Sequence, residues 1–276
     1  MPMRRRTRRF RCSEKALAIP ATFLILFFST LTIVSITYYY AIEKIEARSQ
    51  SLKVSLAKQD MISLDKNILS VLWQPGSSGT LEVDNNDGKL NVQPIANQLM
   101  INITDGNTIS ETLFNESIGQ IIYELPYSES SDTGVFLKGD SRVIVNKSGS
   151  VISQLCIRNG AEHVEILVRY RPFASSTTLG TENNKTVNNI RLYILNLNSS
   201  QSIALSGEVP LKISCARTDT IVRTYDVSYQ PEALIVNAVL DGVHGQIIIP
   251  ISSTTSGAII TVELVVCSVK IEKWLR

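Results

Sequence analysis

A stretch of 27 uncharged residues, Ala16 to Ile42, follows a strongly basic N-terminus. Seven arginine and lysine side chains lie within the first 15 residues. A helix rises about 1.5 Å per residue, so the uncharged stretch reaches roughly 40 Å, which exceeds the roughly 30 Å hydrocarbon core of a bilayer. The pattern therefore predicts one membrane-spanning helix over residues 16–42.

The same flank predicts the orientation of the chain. A cleaved secretory signal is the rival interpretation, but its apolar region normally has about 7 to 15 residues and ends at a small-residue site. Arginine and lysine remain on the cytoplasmic side of membrane helices. We therefore expect a cytoplasmic leader over residues 1–15 and an extracytoplasmic body, in a single-pass protein of the cell membrane. Tyr38, Tyr39 and Tyr40 fit the outer interface, where aromatic side chains collect.

Charge is divided unevenly along the chain. The first 15 residues carry a net charge of +6, whereas the whole chain carries +2, so the remainder sums to −4. The external part has no basic excess to attract phosphate backbones. The expected partner is the lipid bilayer, and no nucleic acid is expected.

A second periodic pattern follows the apolar stretch. Apolar residues recur every three or four positions, as in a heptad seam, at Val54, Ala57, Met61, Leu64, Ile68 and Val71. Gln74-Pro75-Gly76 provides a stop, so one helix is expected from about Ser13 to Trp73, with an amphipathic stalk over residues 43–73. The seam has two interpretations: it packs on the chain's own body, or it contacts neighbouring copies.

From residue 74 onward, short β-branched runs alternate with turn residues, which is typical of strands. Asx-Gly pairs between these runs favour tight hairpins. The expected fold class is α+β, mainly β, with a long N-terminal membrane and stalk helix followed by an antiparallel β-sandwich body. We expect a polar loop over Ser175 to Asn189, a β-rich external domain over 74–198 and a second β-rich region over 199–276. Alternatively, the final strands pair back into the first sheet.

Residues that could support catalysis are few. His163 and His244 are the only histidines, they lie 81 positions apart, and neither has a partner at metal-ligand spacing. Nucleophile-elbow and phosphate-loop motifs are absent from the sequence. Asp84 to Gly88 lacks the alternating spacing of a calcium loop and is better explained as a turn. We expect no catalytic residue, metal or cofactor, and we do not expect an enzyme.

Two kinds of covalent modification are suggested by the sequence. Cys215 and Cys267 are candidates for a disulfide in an oxidising external compartment, although buried thiols that act as small hydrophobic side chains explain them equally well. Asn-x-Ser/Thr acceptor motifs for N-glycosylation occur at five external positions, namely Asn102, Asn115, Asn146, Asn184 and Asn198.

Two segments resemble a known family. The run from Arg11 to Ile19, RCSEKALAI, looks like the start of archaeal type IV pilin-like proteins. The segment from Ala57 to about Asn198 contains AKQDMISLDKNILSV, GKLNV, SIGQIIYELP, TGVFLKGDSRVIV and NNIRLYILNLNSS, and it is similar to an uncharacterised family of archaeal pilin-like surface proteins.

The resemblance implies roles for residues at the start of the helix. It implies leader cleavage between Cys12 and Ser13, with Cys12 standing where Gly or Ala is usual. It also implies that Glu14 is the helix-entry charge, which in pilins pairs with the N-terminal amine of a neighbouring copy. The expected partners are then other pilin-like subunits and further copies of this chain, through the N-terminal helix.

Three functions of different classes follow from these observations. The first is a minor pilin or pseudopilin in a cell-surface filament or assembly. The second is a monomeric, membrane-anchored surface module for binding or adhesion, with a surface polymer or glycan as its candidate ligand. The third, and the weakest, is a membrane-tethered enzyme.

Overall fold

A computed structural model describes residues 14–84, 86–125, 134–146, 151–159 and 163–274, with helix side chains described from Pro20 onward. The chain forms two compact units, with the boundary between Leu52 and Lys53. One helix and fourteen strands are formed in the described part.

Helix α1 runs from Glu14 to Ser70 and continues through Pro20. In the first unit, every described side chain from Pro20 to Leu52 is exposed. In the second unit, all six members of the heptad seam are buried, with Ala57, Met61, Leu64 and Ile68 fully inaccessible. The seam therefore packs on the chain's own body, which is the first of its two interpretations.

The helix ends close to the predicted stop. Ser70 is its last residue, and Trp73 takes a left-handed backbone with φ of 63°. The Ser77 hydroxyl donates to the Val71 carbonyl at 2.7 Å and so satisfies one of the carbonyls at the helix end. The backbone N–H of Gly76 donates to the Cys215 carbonyl, and the Cys215 N–H donates to the Ser77 carbonyl, both at 3.0 Å, which ties the turn after the helix to a strand.

The strands follow in chain order as β1 (Ser78–Val83), β2 (Lys89–Thr104), β3 (Ser110–Leu125), β4 (Phe136–Lys138), β5 (Val145–Asn146), β6 (Ser153–Asn159), β7 (Val164–Tyr170), β8 (Phe173–Glu182), β9 (Lys185–Asn196), β10 (Ile203–Ser206), β11 (Val209–Val227), β12 (Ala233–Leu240), β13 (Val243–Pro250) and β14 (Ala258–Lys273). Sheet A has the order β1-β11-β14-β9-β8-β5. Sheet B has the order β13-β12-β2-β3-β7-β6-β4, with β10 also on β2.

The expected antiparallel sandwich is only partly correct. The body is mostly β, but its two sheets are curled half-barrels, and a sandwich is not confirmed. Two strand pairs are parallel, β9 with β14 and β5 with β8. The β9–β14 pair joins strands from either side of residue 198. Hairpins between consecutive strands do not produce a parallel pair of this kind.

The boundary near Asn198 does not separate two sheets. Sheet A combines β1, β5, β8 and β9 with β11 and β14, and sheet B combines β2, β3, β4, β6 and β7 with β12 and β13. The final strands therefore pair with the earlier ones, as the alternative interpretation holds. The physical reason is burial: Val262 and Leu264 of β14 share a hydrophobic cluster with Leu99 and Ile101 of β2.

The predicted polar loop from Ser175 to Asn189 is wrong. These residues belong to a hairpin, β8 and β9, joined by Asn183 and Asn184 with φ of 49° and 63°. Positive φ at both central residues is typical of a two-residue hairpin turn, and asparagine tolerates it. The strand signal was missed because Ser176 to Glu182 is exposed and lacks alternating apolar residues. The predicted Asp241-Gly242 turn, by contrast, joins β12 to β13, with φ of 48° and 80°.

Candidate anchor helix and its buried polar contacts

The exposed part of α1 has the properties of a membrane span. Within the described residues, α1 is the one helix long and apolar enough to cross a bilayer. Its most apolar segment is not buried inside the protein. Phe23, Ile25 and Val34 expose 72%, 68% and 65% of their surface. Apolar surface of this extent is unfavourable in water, at roughly 1.5 to 3 kcal/mol for each large side chain, and is favourable in lipid.

Hydroxyl groups in this segment are satisfied inside the helix. Ser29, Thr30, Thr32, Ser35 and Thr37 each donate to a carbonyl three or four residues earlier, at 2.8 or 2.9 Å. A hydroxyl that lacked such an acceptor would be costly in hydrocarbon. The polar residues of the span are therefore compatible with lipid.

A buried carboxylate fixes the second part of the helix to sheet B. Asp65 is fully inaccessible and forms an ion pair with Lys138 of β4. Its other contacts are with the Ser153 hydroxyl at 3.2 Å and the Tyr170 hydroxyl at 3.1 Å. One helix side chain thus contacts β4, β6 and β7. Buried charges need this kind of pairing, because an isolated one pays a large desolvation cost.

Tyr170 acts as a hydrogen-bond donor in this cluster. Burial, and then the neighbouring Asp65 charge, raise the pKa of Tyr170 well above its ordinary value. The hydroxyl therefore stays protonated at physiological pH and donates to the carboxylate. One signal for the cluster is visible in the sequence, a carboxylate beside Leu64 of the apolar seam. The partners cannot be identified from the sequence, since they lie 73 to 105 positions away.

A second acidic side chain of the helix meets the turn that precedes β2. The Asn86 amide donates to Asp60 at 2.8 Å. Burial, followed by the nearby Asp84 charge, raises the pKa of Asp60. Lys53 also forms an ion pair with Asp87 of the same turn. Asn86 and Asp87 thus tie the turn between β1 and β2 to the helix. Within the described residues, no group of three or more His, Cys, Asp or Glu side chains could hold a metal ion.

The candidate disulfide residues lie together beneath the helix end. Cys215 and Cys267 are buried, and their sulfur atoms are 3.4 Å apart as free thiols. Burial raises the pKa of Cys267 to about 11, so the thiolate is disfavoured. The cysteines lie on the neighbouring strands β11 and β14, beside an irregularity at Cys215 and Arg217. Oxidation of Cys215 and Cys267 to a disulfide remains a prediction. The third cysteine of the body, Cys156, is half-buried on β6.

The glycosylation candidates differ in accessibility. Asn115, Asn146 and Asn184 are exposed, whereas Asn102 and Asn198 are half-buried. Asn102 lies on β2 between β3 and β12, and its buried side-chain oxygen has no hydrogen-bond partner in the described part of the chain. The first three are thus the sites that an enzyme can reach on the folded chain.

The other predicted residues are separate from these clusters. His163 is near Glu124, with 3.7 Å between its Nε2 and a carboxylate oxygen, and His244 is exposed on β13. Cys12 and Ser13 lie outside the described residues, and Glu14 is the first residue of α1.

Comparisons with known proteins give no relative for this chain. No family model, no curated protein and no solved structure matches it. The function must therefore be argued from the residues and their geometry.

Proposed function

We propose that this chain is a membrane-anchored, pilin-like subunit of a cell-surface assembly, with its N-terminus in the cytoplasm and its β-rich body outside. One observation carries the proposal: a single helix, α1, supplies both a fully exposed apolar segment and a row of core residues of the body. The first segment needs lipid or other helices around it, and the second makes the helix part of the folded body. A subunit that leaves the membrane to join a helical assembly needs both properties.

The resemblance at the N-terminus supports the same function. RCSEKALAI combines a basic leader with an acidic residue at the start of an apolar helix. A carboxylate in this position is costly in lipid, and pairing with the amine of a neighbouring copy would remove the cost. Cleavage after Cys12 would create that amine at Ser13.

The alternative function is a monomeric, anchored module that binds a surface ligand. It is favoured by the burial of the heptad seam in the chain's own core, which removes that face from contact with other copies. Under this alternative, the helix serves as an anchor only and the leader remains attached.

The test uses full-length protein in native membranes. A photo-crosslinking amino acid replaces Phe27, whose side chain is 53% exposed in the apolar part of α1. We expect crosslinks between copies, a mature chain that begins at Ser13 by mass mapping, and fewer crosslinks in Glu14→Gln. Glu43→Gln, on the same helix but beyond the apolar stretch, is the matched control and should behave like the parent.

The opposite result would select the alternative. If the mature chain begins near Met1 and Glu14→Gln crosslinks like the parent, the chain is not an assembly subunit. Orientation is tested separately: protease added to intact cells should digest the region after Ile42 and leave the basic leader protected. Digestion confined to the leader would reverse the proposed topology.

A further inference from the structure

An open, polar groove of about 530 Å³ lies on sheet A where the short strand β5 ends. Strand β5 pairs with β8 only at Phe173 and Ala174, so the next part of β8 has no partner strand on that side within the described residues. The groove is lined by Asn146 at the end of β5, by Ser175 to Thr177 of β8, and by Asn189, Arg191 and Tyr193 of β9.

The strand register arranges the lining as a ladder. Phe173 pairs with Tyr193, Ser175 with Arg191, and Thr177 with Asn189. Directly paired residues of antiparallel strands, taken at every second position, share one face of the sheet. The alternate residues Ile190, Leu192 and Ile194 are buried on the other face. The outer face thus presents hydroxyl, amide and guanidinium groups in a row that ends in aromatic rings.

The aromatic end of the row is fixed by packing. Tyr193 stacks on Phe173, with ring centres 4.6 Å apart and an interplanar angle of 9°. Trp73 meets Tyr193 edge to face, with ring centres 5.2 Å apart. Rings held in this way offer a rigid apolar surface next to hydrogen-bonding groups.

The groove has polar capacity that the protein does not use. The Asn189 amide nitrogen donates to Glu263 at 3.1 Å, but its oxygen has no hydrogen-bond partner in the described chain, although the residue is only 9% exposed. Leaving a buried acceptor without a donor is costly, and a ligand hydroxyl would satisfy it. Thr177, which pairs with Asn189 on the same face of the sheet, is exposed beside it.

The charge of the lining selects against ionic ligands. Among the described lining residues, Arg191 is the one that carries a charge, and its Nε donates to Glu263 at 2.6 Å. The ion pair leaves the groove nearly neutral. A ligand that suits it carries many hydroxyl groups, no net charge, and an apolar C–H face for an aromatic ring.

We propose that this groove binds a neutral oligosaccharide segment. Sugar hydroxyls donate and accept in the pattern that serine, threonine and asparagine side chains offer, and sugar ring faces pack on tyrosine. The saccharide has two sources: a separate glycan or surface polymer, or an N-linked glycan on Asn146, whose Asn-Lys-Ser motif begins in the lining. The site goes beyond the proposed assembly function and does not depend on it.

The test uses the full-length chain made in a host without N-glycosylation and kept in a detergent that has no sugar headgroup. Trp73 fluorescence, in a Trp274→Phe background, reports on the groove through Tyr193. The probes are chitotriose, maltotriose and cellotriose. We expect a saturable fluorescence change with at least one of them, and a tenfold or greater loss of affinity in Thr177→Ala and in Arg191→Ala.

Matched controls and a second protein source separate the outcomes. Thr181→Ala, an exposed threonine of β8 outside the lining, should bind like the parent. Protein from native membranes distinguishes the two sources of the saccharide. If it carries a glycan on Asn146 and binds no probe, while its Asn146→Gln variant binds, the ligand is the chain's own glycan. If the native protein binds a probe directly, the ligand is a separate saccharide. Lack of saturable binding for all three probes, or unchanged affinity in both lining variants, overturns the proposal.

Discussion

At the scale of single residues, Asp65 has the largest structural role among the charged side chains of the helix. It has no access to water, and it is the shared partner of Lys138, Ser153 and Tyr170. Because three strands meet one carboxylate, the contact fixes the rotation of the helix on sheet B as well as its position. Apolar packing alone tolerates small shifts, whereas this arrangement of donors does not.

Removal of this carboxylate should strongly destabilise the body. Asp65→Ala leaves the partly exposed Lys138 and the buried Tyr170 without their acceptor, so we expect the free energy of unfolding to fall by about 3 to 5 kcal/mol. Asp65→Asn keeps one oxygen for Tyr170 and should cost less. Chemical denaturation of the purified protein measures both. Glu116→Gln, at an exposed position, should stay within about 0.5 kcal/mol of the parent. A similarly small effect of Asp65→Ala would contradict the role we assign to the cluster.

Arg171, which lies between β7 and β8, forms a second residue-scale contact with the segment that precedes β5. It is buried, pairs with Asp140, and donates to the Val151 carbonyl at 2.9 Å. Hydrogen bonds from Arg142 and then from Arg171 hold the pKa of Asp140 well below its usual range. Because the pKa is lower in the folded state than in the unfolded state, the stabilisation is complete above the ordinary pKa of about 3.9 and is lost as the pH falls towards the folded value.

The lowered pKa of Asp140 gives a prediction about how stability depends on pH. At pH 7, Asp140→Asn should unfold at a lower denaturant concentration than the parent, and the difference between the two should shrink at pH 3. Groups common to both proteins, such as Asp60 with its raised pKa, cancel in the comparison. Ser141→Ala in the same loop carries no titratable group and serves as the control. A difference that is equal at pH 7 and pH 3 would argue against an ionised Asp140 in the folded protein.

At the scale of elements, α1 is one helix with two environments. Its described side chains from Pro20 to Leu52 are exposed, whereas the seam from Val54 onward belongs to the core. The spacing of apolar residues cannot distinguish these two environments. It indicates that one face of the helix is apolar, but it does not indicate whether lipid, another helix or the protein core covers that face. Strand β8 is the converse case: from Ser176 to Glu182 it is formed without an apolar period, through backbone pairing with β9 and an Asn-Asn turn.

The seam can be tested within the helix itself. Leu64→Ala empties a fully buried site, so we expect a loss of about 2 to 5 kcal/mol in the free energy of unfolding. Leu56→Ala makes the same chemical change at a position that is 40% exposed and should change stability by no more than about 0.5 kcal/mol. Equal effects of the two substitutions, measured by chemical denaturation, would show that the seam does not face the core.

At the scale of the whole molecule, the folding unit begins earlier than the β-rich sequence does. The strands alone suggest a self-contained body after Gln74. The core, however, includes Val54, Ala57, Met61, Leu64, Ile68, Val71 and Leu72. The second compact unit likewise begins at Lys53. The body therefore needs the last part of α1 as one of its own elements.

Truncation tests this boundary. A chain of residues 53–276 should be soluble and mainly β by far-UV circular dichroism, and it should unfold cooperatively. A chain of residues 75–276 exposes the strand surface that the helix covers, so we expect it to aggregate or to lose cooperative unfolding. Equal solubility and stability of the two fragments would show that the helix is dispensable to the body.

The sequence alone determined the features that depend on near neighbours. The uncharged stretch to Ile42 predicts a helix long and apolar enough to span a membrane, the three-and-four spacing predicts a helix to Trp73, and Asp241-Gly242 predicts a hairpin. These signals are local, since a helical face, an apolar length and a positive φ are each encoded within a few residues. The sequence leaves two interpretations of Cys215 and Cys267, a disulfide or a pair of buried thiols. The two sulfur atoms lie 3.4 Å apart, and oxidation stays a prediction.

Tertiary structure decided what these local elements meet. The partners of Asp65, the parallel pairing of β9 with β14 and the polar ladder from Phe173 to Asn189 each join residues that are distant in sequence or lack a periodic signal. Their pairing is selected by the burial of a shared core and by the cost of leaving buried polar groups without hydrogen-bond partners. Both are properties of the whole fold, and for this reason no short window of the sequence contains them.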